Sequence, residues 1–301
     1  MARLVASFLS RDQEFQLLQA EDARAAAGRH GFEIEILFAD LNAVEQIQQL
    51  FRFIHLPAAE RPAAIVVETV TGEGLERVAR NAADAGVGWV LLNRRVAYLD
   101  ELRSAHPGLP LATVGTDQAE VGRIQGRQLR ALLPGGGPVL YVQGPPDTSV
   151  AQERLAGVRE GMGEGFEVRM VAGQWTEKSA EKSVQAFLRL KTNESFVPRV
   201  VASQNDAMAL GARRAVSGLA DRERKQAWNA VVYAGCDGLP EGGQKLVKEG
   251  KLAATVVTPS NTGPAVDLVA AALRTGRSGP AQVVLKPASC PDLSAIAPLR
   301  R

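Results

Sequence analysis

Carboxylate, guanidinium and amide side chains recur in this sequence just after short apolar runs. They stand at Ser10–Gln13, Glu68–Val70, Asn93-Arg94, Gly115–Asp117, Gln143–Ser149, Trp175, Gln204-Asn205-Asp206, Cys236-Asp237-Gly238 and Thr258. Planar groups with paired donors or acceptors grip hydroxyl edges, and aromatic rings cover C–H faces, so the set suits a neutral, hydroxyl-rich molecule. Nucleophilic and metal chemistry find little here. These positions hold no Ser/His/Asp combination, no His-Glu-x-x-His and no phosphate-cradling Gly-rich loop ending in Lys-Ser/Thr. His30, His55 and His106 are scattered without ligand spacing, and Cys236 and Cys290 lie far apart, which excludes a disulfide framework and a Cys-rich zinc site. The glycines at 161, 163 and 165 follow a helical segment instead of opening one, so a dinucleotide reading is poor. Neither a cofactor nor catalysis is expected.

The apolar runs that must position these groups lie at 4–9, 34–38, 64–67, 88–92, 111–114, 138–142, 167–171, 199–202, 230–234 and 253–257. Each is short, nearly continuous and bounded by turn formers, as strands covered on both faces of a parallel sheet are. Helical spacing fills the segments between them: 15–28, 43–54, 73–85, 119–133, 151–161, 178–190, 206–217 and 263–274. The alternation predicts an α/β fold with right-handed crossovers. A length of 301 residues favours two domains, and a weak echo between 62–93 and 197–237 suggests two similar lobes. Gly135–Pro138 reads as a plain turn and Arg222–Gln226 as a charged loop.

Composition agrees with an ordinary globular protein, at 46% hydrophobic and 23% charged residues. The net charge of +2 lacks the basic excess of a nucleic-acid binder, so no nucleic-acid partner is expected. No apolar run approaches the roughly 20 residues of a membrane span. The stretch Leu4–Leu9 is short for a signal-peptide core and reads as a first buried strand.

Several of these segments are similar to signatures of the ribose-type periplasmic sugar-binding proteins. They are Gln204-Asn205-Asp206-Ala207-Met208-Ala209-Leu210-Gly211-Ala212, Gly235-Cys236-Asp237-Gly238-Leu239-Pro240-Glu241 and Gly250-Lys251-Leu252-Ala253-Ala254-Thr255-Val256. Gln143-Gly144 with Thr148–Arg154, and Val114-Gly115-Thr116-Asp117 with Gly122 and Gly126, fit the same family. The matches run in the family's order from about residue 4 to about residue 286. The resemblance implies two Rossmann-like lobes with parallel sheets joined by three hinge strands, the type I periplasmic binding protein architecture, closing on a ligand. Residues 1–115 and 259–285 would form the N-terminal lobe; 116–258 and 286–301 would form the C-terminal lobe. The tail from Pro287 would pack on the second lobe.

Carried over residue by residue, the resemblance implies an interlobe cleft lined by Phe15, Asn93, Arg94, Arg154, Trp175, Asn205, Asp237 and Thr258. Arg154 would fork onto ring oxygens, Asn205 and Asp237 would bind hydroxyls, and Phe15 and Trp175 would sandwich the ring. Asn93 stands where the family has Asp, which removes one charged acceptor, and Thr258 stands where ribose binders have Gln. Those departures put ribose itself in doubt and leave another pentose, a deoxyhexose or a cyclic polyol open. Asp206 reads as the cap of the helix it begins, and Asn205, one residue earlier, as a ligand contact without a cap role. Trp89 reads as core, Trp228 as loop packing and Cys236 as a buried small hydrophobe.

The function expected is non-enzymatic binding of a small sugar or polyol, as the substrate-binding component of an ABC-type importer or as a sugar sensor. The partners are then a transporter permease or a membrane sensor, and a monomer is expected. The alternative is a ligand-sensing domain of lac-repressor type acting through a partner protein, because a chain starting at its first strand leaves no room for a helix-turn-helix. A periplasmic location follows if a signal peptide was removed, and a cytoplasmic one if Met1 is the native start.

Overall fold

The computed structural model describes residues 2–71, 75–94 and 96–300. The chain divides into two compact units, Met1–Thr116 with Ser260–Leu285, and Asp117–Pro259 with Lys286–Arg301.

The N-terminal unit alternates β1 (Arg3–Phe8), α1 (Glu14–His30), β2 (Glu33–Phe38), α2 (Ala43–Ile54), β3 (Ala64–Val67), α3 (Glu76–Asp84), β4 (Gly88–Leu92), α4 (Tyr98–Ala105) and β5 (Leu111–Thr116). The C-terminal unit runs α5 (Gln118–Leu132), β6 (Gly137–Gln143), α6 (Ser149–Met162), β7 (Phe166–Ala172), α7 (Glu177–Arg189), β8 (Val200–Ser203), α8 (Asp206–Ser217), α9 (Arg222–Trp228), β9 (Val232–Ala234), α10 (Lys245–Lys248) and β10 (Thr255–Val257). The chain then returns to the first unit with α11 (Thr262–Thr275) and β11 (Gln282–Leu285), and ends in the second with β12 (Ala288–Cys290).

The first sheet is parallel throughout, in the order β11-β5-β4-β3-β1-β2. Its central strands are apolar on both faces for a physical reason. Side chains alternate along a strand, and helices cover each side. Val5, Ile65, Val67, Trp89, Leu91 and Leu111 pack with α2, α3 and α4, whereas Leu4, Ala6, Phe8, Val66, Val90, Leu92 and Val114 pack with α1 and α11. The second unit repeats the plan with a parallel β7-β6-β8-β9 sheet. Leu140, Val142 and Val201 face α7 and α8, and Val139, Tyr141, Val200 and Ala202 face α5 and α6. Parallel sheets wound on both faces are the α/β class that the alternating runs predict.

All ten predicted strands are present, and the structure adds two. β11 lies at the sheet edge, with exposed Gln282 and Val284 alternating with half-buried neighbours, so it lacked the continuous apolar run used to find the others. β12 is three residues long and pairs antiparallel with β10. The tail belongs to the second unit, where Leu299 donates its amide to the Leu132 carbonyl and Ile296 is buried among residues of α5. The segment 222–226 is not a loop, and Trp228 is not in one. Asp221 accepts from the Arg224 amide at 3.0 Å, caps α9, and the helix ends on Trp228, which is 1% exposed. A capped start and one buried anchor offset a sequence of four consecutive charges. Gly137 and Pro138 already belong to β6, so the predicted turn is shorter than expected. The predicted helix from 73 begins at Glu76; Glu73 lies outside the described residues.

Candidate ligand-binding site

In each unit the polar residues of interest stand at the carboxyl ends of the strands, where βα loops leave backbone groups and side chains unshielded by the helices. Three of these residues hold a positive φ: Asn93 after β4 (52°), Trp175 after β7 (60°) and Asp237 after β9 (93°). For non-glycine residues this backbone is costly, and it persists where surrounding structure enforces it.

The C-terminal unit gathers five of the eight predicted residues into one network centred on Arg154. Its placement is set by α6, whose start is capped by the Thr148 hydroxyl accepting from the Ala151 amide. Arg154 is only 6% exposed, so it is no surface arginine. Its Nε donates to Gln118 Oε1 at 2.8 Å, and one terminal nitrogen donates to the Gln204 carbonyl and stands 3.5 Å from Asp237 Oδ1. The guanidinium carbon lies 5.8 Å from the centroid of the half-buried Trp175 ring. That ring lies against Gly144, where a Cβ would come within 2.2 Å of it. Asn205 donates to the Trp175 carbonyl at 2.9 Å, and the Thr258 amide and hydroxyl both donate to the Asp237 carbonyl. The unit thus presents a fork of donors, a carboxylate and an aromatic face side by side, the complement of a hydroxyl edge and a C–H face.

The cap of α8 is Asn205 and not, as the sequence predicts, Asp206. Asn205 accepts from the Met208 amide at 2.8 Å. Asp206 points away from the helix end, accepts from the Thr255 hydroxyl at 2.7 Å and the Gly238 amide at 2.8 Å, and is buried. It is walled in by Gly235 and Gly243, where a Cβ would meet its oxygens at 2.1 Å. Asp206 therefore anchors the turn that carries Asp237. Burial, reinforced by the Asp237 carboxylate, holds its carboxyl well above the usual carboxylate range. An acid raised in the folded state binds its proton more readily folded than unfolded, so its contribution to stability declines as pH rises above the unfolded value of about 4. Asp206→Asn is therefore expected to gain stability relative to the wild type as pH is raised from that value. Urea unfolding at a series of pH values checks this, and a constant difference would refute it. Cys236 is fully buried beside Val121, Ile124 and Val256, and burial pushes its thiol up.

In the N-terminal unit, Asn93 and Arg94 follow β4. The Thr116 amide donates to Asn93 Oδ1 (3.4 Å), and Arg94, buried, donates to the Thr69 carbonyl (3.3 Å). Phe15 is half-buried in the first turn of α1. The centre of this cluster is Glu68, at the end of β3, which the sequence marks as a strand-end position but which is not among the eight residues carried over from the resemblance. Gln16 and Gln19 donate to its Oε2 at 3.0 and 3.4 Å, and Asn93 donates to its Oε1 at 3.3 Å. The amides have no freedom to turn round. Gln16 Oε1 accepts from the Leu9 amide, Gln19 Oε1 from the Asn261 and Thr262 amides, and Asn93 Oδ1 from the Thr116 amide. Backbone donors thus orient each NH2 toward the carboxylate. The signal available in the sequence was position alone, Glu68 being the first residue after an apolar run. The carboxylate lost at position 93 is present in this unit on a different strand.

Residues 6–277 match the model of a known family, described as the periplasmic binding protein domain. The chain belongs to that family. Among curated proteins, this periplasmic binding protein domain is similar to the ribose import binding protein RbsB of Salmonella typhimurium, 34% identical over 156 residues, which are 51% of this chain and 49% of that protein. It is also similar to the D-ribose/D-allose-binding protein of Pseudomonas aeruginosa, 27% identical over 205 residues, 67% of this chain and 62% of that one. The chain thus spans about half the length of the first of these relatives. Among solved structures it resembles a galactofuranose binding protein (TM-score 0.81, 22% identity, 96% of this chain and 94% of that one). It also resembles the periplasmic binding protein component of the arabinose ABC transporter from Shewanella sp. ANA-3 (TM-score 0.80, 23% identity, 98% and 94%). At such identities the structural likeness establishes the fold, and it agrees with the doubly wound units described above.

Proposed function

We propose that this protein binds a small sugar or cyclic polyol, without catalysis, as the solute-binding component of an ABC-type importer. The observation that carries the reading is the cluster of Arg154, Asp237 and Trp175, which sets a buried guanidinium from α6 beside a carboxylate and an aromatic face at strand ends. Such a cluster fits a ring with hydroxyls at its edge, and charge-assisted bonds to it are stronger than neutral ones. Asn93, Arg94, Asn205 and Thr258 stand at neighbouring strand ends of their units and are assigned hydroxyl contacts; Phe15 is assigned a ring face. The family and the ribose and allose names of the relatives support this reading, and they favour import over a repressor-type sensor. A periplasmic location and a permease partner go with it. Among the described residues, no helix is long and apolar enough to cross a membrane.

The test is a thermal-shift screen against pentoses, hexoses, deoxy sugars, inositols and nucleotides, followed by calorimetry. A ligand at a hundredfold excess over its Kd adds about 2.7 kcal/mol to stability. Stabilisation by one sugar or polyol is the expected result. Stabilisation by nucleotides alone would replace this reading with a different one.

A further inference from the structure

Among the described residues, the structure holds a buried carboxylate with no ion pair, Glu68. Glu68 is 6% exposed, and all its side-chain hydrogen-bond partners among the described residues are neutral amides. Arg94, which follows the neighbouring strand β4, donates to the Thr69 carbonyl. Three donors held in place by backbone amides satisfy the acceptor capacity of the two oxygens only in part, since a carboxylate offers about four lone-pair sites. A buried charge that is hydrogen-bonded but unpaired favours a cation beside it over a neutral donor, because the cation removes both the open acceptor site and the uncompensated charge.

We propose that Glu68 is a specificity-determining residue and that it selects sugars or cyclic polyols in which one hydroxyl is replaced by a protonated amino group. The inference rests on the sugar-binding reading above and deepens it. An ammonium reaching Glu68 forms a charge-assisted bond, whereas a hydroxyl at the same place leaves the carboxylate's charge unmatched. Asn93, held by the Thr116 amide, donates to Glu68 Oε1 and acts as a positioning residue.

The experiment is calorimetry at slightly acidic pH on D-ribose, D-allose and myo-inositol, and on congeners of each in which single hydroxyls are replaced by amino groups one at a time. The wild type is expected to bind one amino congener about tenfold or more tightly than its parent, as a charge-assisted bond replaces a neutral one. Glu68→Gln is expected to abolish that preference, read as the ratio of the two affinities. Should the variant fold poorly, the wild-type preference within matched pairs still decides the matter. Parents that bind as well as or better than every congener would overturn the inference and leave the sugar-binding reading intact. A preference that survives in Glu68→Gln would overturn it too. Binding of neither parents nor congeners would overturn the sugar-binding reading and this inference with it.

Discussion

Replacing Arg154 by alanine is expected to weaken ligand binding by about 2–5 kcal/mol, roughly thirtyfold to several thousandfold, the usual cost of truncating one partner of a buried, hydrogen-bonded charge pair. The reason lies in what the guanidinium touches. Its removal takes a guanidinium away from Asp237, a donor away from Gln118 Oε1 and from the Gln204 carbonyl, and a cation away from the Trp175 face. A ligand must then bind against acceptors that have lost their counterpart. Arg154→Lys keeps the charge and loses the fork, so it should recover only part of the affinity. Calorimetry with the tightest ligand from the screen, alongside circular dichroism to establish folding, measures both. Affinity within threefold of wild type in a folded Arg154→Ala protein would remove Arg154 from the site.

The second large effect concerns the helices that position Arg154. α5 and α6 meet backbone to backbone through Gly122 and Gly126 on one helix and Gly157 and Gly161 on the other. A Cβ at Gly157 would lie 2.0 Å from the Ala119 carbonyl oxygen, one at Gly161 2.3 Å from that of Arg123, and one at Gly122 2.1 Å from that of Arg154 itself. Backbone cannot step aside as a flexible side chain can. Gly→Ala in a helix ordinarily gains up to about 1 kcal/mol, but overpacking a close contact costs about 1–3 kcal/mol and occasionally more. The steric cost is expected to win, so Gly157→Ala and Gly122→Ala should each lower the unfolding free energy. The double variant should cost less than the sum, because one forced separation makes room for both. Gly122→Ala should also weaken ligand binding, since it moves the backbone of Arg154. Gly28→Ala in α1, where a new Cβ meets nothing within 4 Å, is the contrasting case. It is expected to stabilise by about 0.4–1 kcal/mol. Denaturant unfolding of the four variants checks the set, and a stabilising Gly157→Ala would refute the close-contact account.

Much of the architecture was legible from pattern alone. Ten strands announced themselves as short apolar runs because central parallel strands are covered on both faces, and eight of the helices showed as the longer periodic segments between them, α4 and α10 not among them. The same logic explains what escaped. β11 is an edge strand with one row of exposed side chains, β12 pairs for only three residues, and α9 is a charged segment made helical by a cap and one buried tryptophan. Each lacks the continuous apolar signal. Of the candidate residues, Trp175, Asn205, Asp237 and Thr258 were legible as strand ends and Arg154, inside α6, only through the family resemblance; the five fall into one hydrogen-bonded and stacked network.

The sequence by itself determined the α/β alternation, the strand ends and the residue types placed there, because periodicity and turn formers are local properties of the chain. Only the tertiary structure decided what those residues do with one another. Asn205 and Asp206 are equally good caps by type. Asn205 takes the cap because Asp206 finds the Thr255 hydroxyl and the Gly238 amide, 49 and 32 residues away. Glu68 gained its place because Gln16, Gln19 and Asn93, distant in sequence, are each oriented toward it by a backbone amide. The glycine spacing on α5 and α6 is visible in the chain, yet its meaning depends on how closely the two helices approach. Hydrogen bonds and steric contacts act over a few ångströms in space, and separation along the chain does not reveal which groups will come that close.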